Sequence, residues 1–442
     1  MVLGQTSHVP FRLIALRRLH LHPRLMSAAT PILYVHYGED WIRGSERSLL
    51  DLLAHLDRSR FLPVVWSNSP ALLEALAPLG LPTHRSAFSI LLDYDAPRFA
   101  FHRSLGLVRT GLRLVRKHGI RLVHANSGAP NQWMVPVART ARIPIVAHLH
   151  TVYDLRERCT LGLHQVSRAV GVSHAVLQGL LDDGMRRERT EVIYNGLDLS
   201  RLRRGDARRL RADLGIPSSA IVVAAVGSLI HRKGLDILLR AMNSLRDDPA
   251  DIRLLIVGEG PERRSLQELA SRLGVAEVTH FLGLREDVAA IYRDAADIAT
   301  LASRRESFGL SLAEAGAVGI PAVATNVDGI PEVLVDEVTG LLVPSEDQVA
   351  LAAALRRLAH DPALRQRLGR AALERVHELF TIERNVAAFE QTYGDLLVRP
   401  TASFGWRGKW TRTGAYAAMA RSVFANLARR RRGQTEKSAP TL

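Results

Sequence analysis

Between residues 31 and 200 short apolar runs alternate with amphipathic stretches, and after a lapse the same alternation begins again. In the first stretch Ile32–His36, Leu62–Trp66, Leu122–Ala125, Ile145–Leu149, Ala169–Val172 and Val192–Tyr194 read as buried strands. Glu46–Leu56, Arg103–His118, Asn131–Ala141 and His174–Gly184 read as helices between them. In the second, the strands are Ile221–Val226, Ile252–Val257, Val278–Phe281, Ile298–Leu301, Ala322–Thr325 and Leu341–Val343. Its helices are Leu235–Leu245, Glu262–Leu273, Val288–Asp294, Leu310–Val318, Gln348–His360 and Ala363–Leu379. Strands alternating with helices at this spacing form a parallel sheet covered on both faces. The chain therefore predicts an α/β protein of two Rossmann-like, doubly wound domains facing each other across a cleft. The polar lapse Leu197–Leu214, closed by Gly215-Ile216-Pro217, reads as linker and turn. Ligands of open α/β sheets bind outside the carboxyl ends of strands, so the cleft is the expected site.

The domains are expected at 31–203 and 204–378, followed by a helix at 379–398 that returns to the first domain. A basic extension, 1–30, precedes them and a basic, partly amphipathic tail, 399–442, follows. The net charge of +15 over 442 residues resides in these ends: +4 in the extension and +9 in the tail, leaving +2 for the body. A nearly neutral body removes the main support for nucleic acid as the substrate of the folded part. A single cysteine, Cys159, excludes a disulfide framework and a cysteine-based zinc site. No apolar run reaches the roughly 18 residues of a spanning helix. Four arginines interrupt the first 30 residues where a signal peptide would need an apolar core. A cytoplasmic location is the expectation.

Several motifs have both a chemical and a structural reading. Gly258-Glu259-Gly260 follows a strand and begins like a dinucleotide fingerprint, but Arg263 stands at the third glycine position, which favours a tight strand-to-helix turn. Asp93-Tyr94-Asp95 could hold a metal on a diphosphate, although such spacing arises easily in polar loops. His148, His150 and Asp154 also suggest a metal, but the strand is expected to turn the two histidines to opposite faces. The segment Glu306–Glu314 runs from a strand end into a helix beginning near Gly309. Glu306 is then at the cleft, Glu314 faces the same opening, and free N–H groups at Phe308–Leu310 form a natural phosphate seat. The first strand of that half ends in Gly227–Gly234, which brings Arg232 and Lys233 to the same place. Lysine is rare here, at four of 59 basic residues, so its occurrence at such a position stands out.

Taken in order, these segments resemble the family 4 retaining glycosyltransferases of the two-domain GT-B fold. The resemblance rests on Gly44-Ser45-Glu46-Arg47, the strand ending in His150, Asn195-Gly196-Leu197-Asp198, Gly227–Gly234 and Leu255–Gly260. It continues through Phe281-Leu282-Gly283, Glu306–Glu314 and Gly340–Val343, covering roughly residues 31–395. The resemblance implies transfer of a sugar from a nucleotide-diphosphate sugar to a hydroxyl of a glycan, lipid-linked or small-molecule acceptor, by front-face displacement. It implies that Glu306 contacts hydroxyls of the donor sugar, Glu314 holds the ribose, and the amides of Phe308, Gly309 and Leu310 meet the sugar and diphosphate. Lys233 with Arg232 would neutralise the leaving diphosphate, His150 would lie near the transferred sugar, and the Gly44 loop would close over the phosphates. The strand end at Leu282-Gly283-Leu284 would border the base. Where the family often has Arg, this chain has Ser228, and Arg232 would have to cover that phosphate contact. The residues expected in catalysis are thus His150, Lys233 and Glu306, with no cofactor and no metal, because cations and helix amides supply the stabilising charge.

Two other functions share these features: a GT-B-fold sugar-nucleotide epimerase, and a non-catalytic nucleotide-sugar-binding protein. The tail has three readings. Trp406, Trp410, Tyr416, Met419, Val423, Phe424 and Leu427, followed by Arg429–Arg432, suit an anionic membrane surface. That reading puts the enzyme peripherally on the inner face of the cell membrane. A disordered basic tail and a helix docked on the body fit the same residues.

Overall fold

The computed structural model describes residues 29–91 and 101–398. The tail reading and the Asp93–Asp95 reading lie outside the described residues. Two parallel sheets form the framework. The first holds β1 (Thr30–His36), β2 (Phe61–Ser67), β3 (Thr83–Arg85), β4 (Leu122–Asn126), β5 (Ile145–Leu149), β6 (Arg168–Gly171) and β7 (Thr190–Val192) in the order β3-β2-β1-β4-β5-β6-β7. The second holds β8 (Ile221–Val226), β9 (Ile252–Val257), β10 (Thr279–Gly283), β11 (Ile298–Leu301), β12 (Ala322–Thr325) and β13 (Gly340–Val343) in the order β10-β9-β8-β11-β12-β13. In each sheet the chain runs outward from a central strand, crosses back, and runs outward on the other side. The crossing creates a crevice at the carboxyl ends of β1 and β4 in one sheet, and of β8 and β11 in the other.

The strands read as continuous apolar runs because helices cover both faces. Ile32, Leu33, Tyr34 and Val35 of β1 are all wholly buried, as are Leu122 and Val123 of β4. Two strand readings need adjusting. The last strand of the first sheet is Thr190–Val192, two residues before the expected Val192–Tyr194, and Thr83–Arg85 adds an edge strand that has no apolar run to announce it. Short helices at Pro70–Leu76 and Leu155–Thr160 were also not expected; Ser69 and Asp154 cap them through side-chain oxygens.

The chain crosses between halves twice, and the crossings are hydrogen-bonded side by side. Leu197 N–H donates to Phe380 O (2.8 Å), and Ile382 N–H donates back to Leu197 O (3.0 Å). A Cβ at Gly196 would lie 2.7 Å from Ile382 Cα, so only glycine permits this approach. Beyond the second crossing the helix Ile382–Val398 packs on the first sheet. There Phe389 and Tyr393 are wholly buried, Tyr393 OH bonds His124 Nδ1 (2.7 Å), and Glu390 accepts from Asp57 N–H (2.9 Å) and Arg60 (2.7 Å). Truncating a buried aromatic such as Phe389 costs about 3–5 kcal/mol, so this strap fixes the hinge firmly to the first half.

Candidate active site

On the second half the cleft is built by loops leaving β8, β11 and β12. The loop after β8 turns through Gly234 at φ 62°, where a Cβ would lie 1.9 Å from Ala302 O. That contact locks the β8 and β11 loops together and requires glycine. Arg304 fastens them again, bonding both carboxylate oxygens of Asp236 at 2.8 Å while its N–H donates to Arg232 O (2.8 Å). Held this way, Lys233 Nζ forms an ion pair with Glu306, whose side chain is 10% exposed. Arg232 lies 3.9 Å from the same carboxylate and donates to Arg305 O (2.9 Å). Ser228, half-buried in the loop, lines with Lys233 and Thr300 a cavity of about 10 Å³ where β8 and β11 diverge. The backbone of Glu306 is set by Asp328, which accepts from Glu306 N–H (3.0 Å) and Arg305 Nε (2.8 Å). Asp328 has φ 43°, an uncommon conformation outside glycine.

Gly309, at φ 94°, turns the chain into the helix Leu310–Ala317, whose first amides face the cleft without a side-chain cap. Phe308 is buried against Tyr194 and Phe380, so only its backbone is available to a ligand. Glu314 is half-buried one turn on. Desolvation pushes its carboxyl up to about 7, opposed by Arg201 and Arg47 of the first half, while Asp51 raises it further. Gly283, at φ 71°, accepts from Gly258 N–H (2.8 Å), and Leu284 beyond it is 80% exposed. Gly258 and Gly260 pack against the carbonyls of Gly227 and Leu229, consistent with a tight turn.

On the first half, His36 ends β1 opposite Asn126 at the end of β4. His36 Nε2 lies 2.8 Å from Glu46 Oε1, and its Nδ1 lies 3.0 Å from the backbone carbonyl oxygen of Asn126 and 2.9 Å from Asn126 Nδ2. Asn126 Oδ1 in turn lies 2.9 Å from His150 Nε2. Glu46 also accepts from Arg43 N–H (3.1 Å) and Ser45 Oγ (3.0 Å). Burial raises the Glu46 carboxyl, but the bond and charge of His36 and the backbone donors outweigh it, holding the group down at about 2. Burial pushes His150 down to about 3, aided by His36, so its ring is neutral. The expectation that His148 and His150 face opposite ways is incorrect. Residues two apart on a strand share a face, and the two rings lie 4.0 Å apart. Asp154 is engaged elsewhere, as the cap of the helix Leu155–Thr160. Among the described residues no three His, Cys, Asp or Glu side chains group as metal ligands.

Besides Tyr194 against Phe308, the halves touch across the cleft at Gly44 and at Glu332. Gly44 proves to be the first residue of the helix Gly44–His55 and not part of a loop; a Cβ there would lie 3.2 Å from Leu310 Cδ1, which sets that helix end beside the N-terminus of Leu310–Ala317. Glu332, just after β12, accepts from His174 N–H (3.0 Å), His174 Nδ1 (2.8 Å) and Ala175 N–H (3.2 Å), capping a helix of the opposite half. The structure thus gathers Lys233, Arg232, Glu306 and the Phe308–Leu310 amides on one wall. His150 stands on the first half beside the network that holds it, and Gly44 meets Leu310 across the cleft. Sequence reasoning missed His36 and Asn126 and gave Glu46 and Glu332 no role. The available signal was a polar residue ending each of the apolar strands β1 and β4.

Two facing parallel sheets with a cationic, amide-lined crevice define the GT-B class of nucleotide-sugar enzymes. Residues 42–201 match the family model described as Glycosyltransferase Family 4, and residues 206–375 match the one described as Glycosyl transferases group 1. The chain belongs to the family 4, group 1 glycosyltransferases. It is 41% identical over 216 residues to a D-inositol 3-phosphate glycosyltransferase of Saccharomonospora viridis, covering 46% of this chain and 50% of that one. It is 28% identical over 304 residues to an N-acetyl-alpha-D-glucosaminyl L-malate synthase of Bacillus anthracis, covering 66% of this chain and 79% of that one. The first of these alignments spans only about half the length of its relative. In fold the chain is similar to a glycosyltransferase from Rickettsia africae, with a TM-score of 0.73 at 20% identity over 84% of this chain and 99% of that one. HepE of Anabaena, in complex with UDP and glucose, gives a TM-score of 0.70 at 23% identity over 82% and 99% of the two chains.

Proposed function

We propose that this protein transfers a sugar from a nucleoside-diphosphate sugar to a hydroxyl of its acceptor, with retention at the anomeric carbon and without a divalent metal. The observation that carries this reading is the meeting of Lys233, Arg232 and the amides of Phe308–Leu310 at one crevice. Charge developing on a departing diphosphate is stabilised there by preorganised cations and amide dipoles. Lys233 is held by Glu306 until the diphosphate competes for it, which frees the Glu306 carboxylate for sugar hydroxyls. Glu314 takes the ribose, and its desolvated carboxyl gains hydrogen-bond donors on binding. Leu284, exposed at the rim, is available to border the base. The UDP and UDP-glucose complexes of HepE support a nucleotide-sugar donor. The names of the curated relatives support a small hydroxylated acceptor, since inositol phosphate and malate both carry free hydroxyls.

Among the described residues the Glu306 carboxylate pairs with Lys233 and Arg232, where a retaining glycosidase would set a second acid, which supports front-face displacement. In that reaction the bond from the anomeric carbon to the diphosphate oxygen breaks, and the acceptor oxygen bonds to the same face. The acceptor proton passes to the leaving phosphate oxygen. The test is incubation of the purified protein with a panel of nucleotide sugars and hydroxylated acceptors in the presence of a chelator. The expected product keeps the donor's anomeric configuration and forms at an undiminished rate. An inverted product, or a strict requirement for manganese, contradicts the proposal.

A further inference from the structure

Resting on the reading of Glu306 as the carboxylate that meets the donor sugar, we propose that Glu332 is a positioning residue that sets the Glu306 loop only while the two halves are clasped. The helix His174–Asp182 of the first half begins with backbone N–H groups that need acceptors. Val176 N–H has a local one, Ser173 Oγ at 3.4 Å. His174 N–H and Ala175 N–H instead donate to Glu332 of the opposite half, at 3.0 and 3.2 Å, and His174 Nδ1 adds a third bond at 2.8 Å. Tyr194 stands beside the same carboxylate; burial and that charge push its phenol up to about 12. A carboxylate at a helix N-terminus stabilises it twice over, as a hydrogen-bond acceptor and as a charge on the helix dipole. Here that stabilisation exists only while the halves touch.

On the second half, Glu332 belongs to a single helical turn, Ile330–Val333, too short to hold its shape unaided. Arg375 holds its carbonyl end, donating to Glu332 O (2.6 Å) and Val333 O (3.0 Å). The other end runs straight into the donor loop. Asp328 accepts from Glu306 N–H (3.0 Å) and Gly329 N–H donates to Glu306 O (2.9 Å), so the two bracket one residue. A Cβ at Gly329 would collide with Ser307 O and lie 3.0 Å from Ser173 Oγ of the first half. This turn is therefore wedged between the donor loop and the helix that Glu332 caps. Asp328, at φ 43°, keeps an uncommon backbone conformation that its surroundings must impose. Residues 328–332 thus form one short path from the first half to the backbone of Glu306, whose carboxylate holds Lys233. Opening the cleft removes the clasp, relaxes that path and leaves Glu306 out of place. The sugar is then gripped correctly only in the closed molecule, where water is excluded.

Two readouts separate this coupling from a mere contact. Amide hydrogen exchange on the full-length protein should quicken in Glu332→Ala at His174–Val176, where the cap is lost, and also at Arg305–Phe308, which Glu332 reaches through Asp328 and Gly329. In steady-state kinetics the same variant should lower kcat about 10-fold, as the clasped share of molecules falls. Glu332→Gln keeps one accepting oxygen for the helix and should recover part of both effects. Asp328→Gly suits φ 43° while removing the acceptor of Glu306 N–H, and should lower kcat as well. Combined with Glu332→Ala, its loss should fall short of the product of the two single losses, because both act on one peptide. Exchange that changes only at His174–Val176, or losses that multiply, overturns the coupling. So does a wild-type kcat in Glu332→Ala while Glu306→Gln is slow. Glu332→Gln carries the same comparisons if Glu332→Ala fails to fold. Wild-type rates in both Glu332→Ala and Glu306→Gln, with exchange as expected, mean that the reading of Glu306 fails while the coupling stands.

Discussion

The two halves share a strand order yet finish the same crevice in opposite ways. Where β1 and β4 part, the first half places Glu46, His36, Asn126 and His150, joined in that order by contacts of 2.9 Å or less. Where β8 and β11 part, the second half places glycine turns, an exchangeable Lys233–Glu306 pair and the uncapped amides of a helix. One crevice is internally satisfied and holds one ring in place; the other is held together by contacts that a diphosphate can replace. Two carboxylates show the same contrast. Glu46, among donors, is held at about 2, whereas Glu314, desolvated at the seam between halves, is raised to about 7. A common topology therefore sets where ligands bind, and the loop residues decide which part of a ligand each wall can serve.

The comparison breaks most visibly at Lys233. Lys233→Ala should lower kcat/KM for the donor about 10²- to 10³-fold, the usual cost of deleting one preorganised charge stabiliser. Arg232→Ala, at a longer distance from Glu306, should cost less, and steady-state kinetics on both variants give the ranking. Glu306→Gln should lose about 10- to 100-fold, divided between kcat and KM, because it keeps the shape but not the charge at the sugar.

Glu314 sharpens the contrast through pH. Its carboxyl in the folded protein titrates near 7, above its ordinary value of 4.5, so the fold favours the protonated form. Its contribution to stability is complete below 4.5 and is lost as the pH rises through about 7. Denaturant melts at pH 5 and pH 8 should show the wild type losing about 2 kcal/mol more than Glu314→Gln over that interval. In kinetics Glu314→Gln should mainly raise the donor KM, since it holds ribose in ground and transition states alike.

A smaller effect is expected at the contact between halves. Glu332→Ala removes three bonds that cap a helix of the opposite half and should cost about 1–2 kcal/mol in the same melts. Scattering in solution should also show a broader distribution of sizes without nucleoside diphosphate, narrowing when it is added. The tail is tested separately, by sedimentation with anionic vesicles of the full chain against a version ending at Val398. Binding that needs anionic lipid, weakens with salt and disappears on truncation supports a membrane role for residues 399–442.

Much of the second half was legible in the chain. Its strands are strongly apolar, such as Ile221–Val226 and Ile252–Val257, and its glycines lie at strand ends where close approach requires them. Glu306 and Lys233 could be singled out because each lies in the loop that leaves a strand end, after Leu301 and Val226. The ion pair between them was not legible, since it depends on β8 and β11 being neighbours. The His36–Asn126 contact has the same origin: 90 residues separate the partners, and only the placement of β1 beside β4 unites them. Thr83–Arg85 was missed because an edge strand of three residues buries too little to leave an apolar pattern. The role of Glu332 was not legible, because a cap offered to a helix in the opposite half has no local signature.

The division of labour between the halves is tested most directly by titrating nucleoside diphosphate, without sugar, into the wild-type protein, Lys233→Ala and His150→Gln in a calorimeter. The account predicts that Lys233→Ala weakens binding about tenfold or more, as expected for a lost charge-assisted contact. It predicts that His150→Gln binds as the wild type does, because that ring serves the sugar alone. Equal loss in the two variants, or full affinity in Lys233→Ala, would contradict the assignment of the diphosphate to the second half.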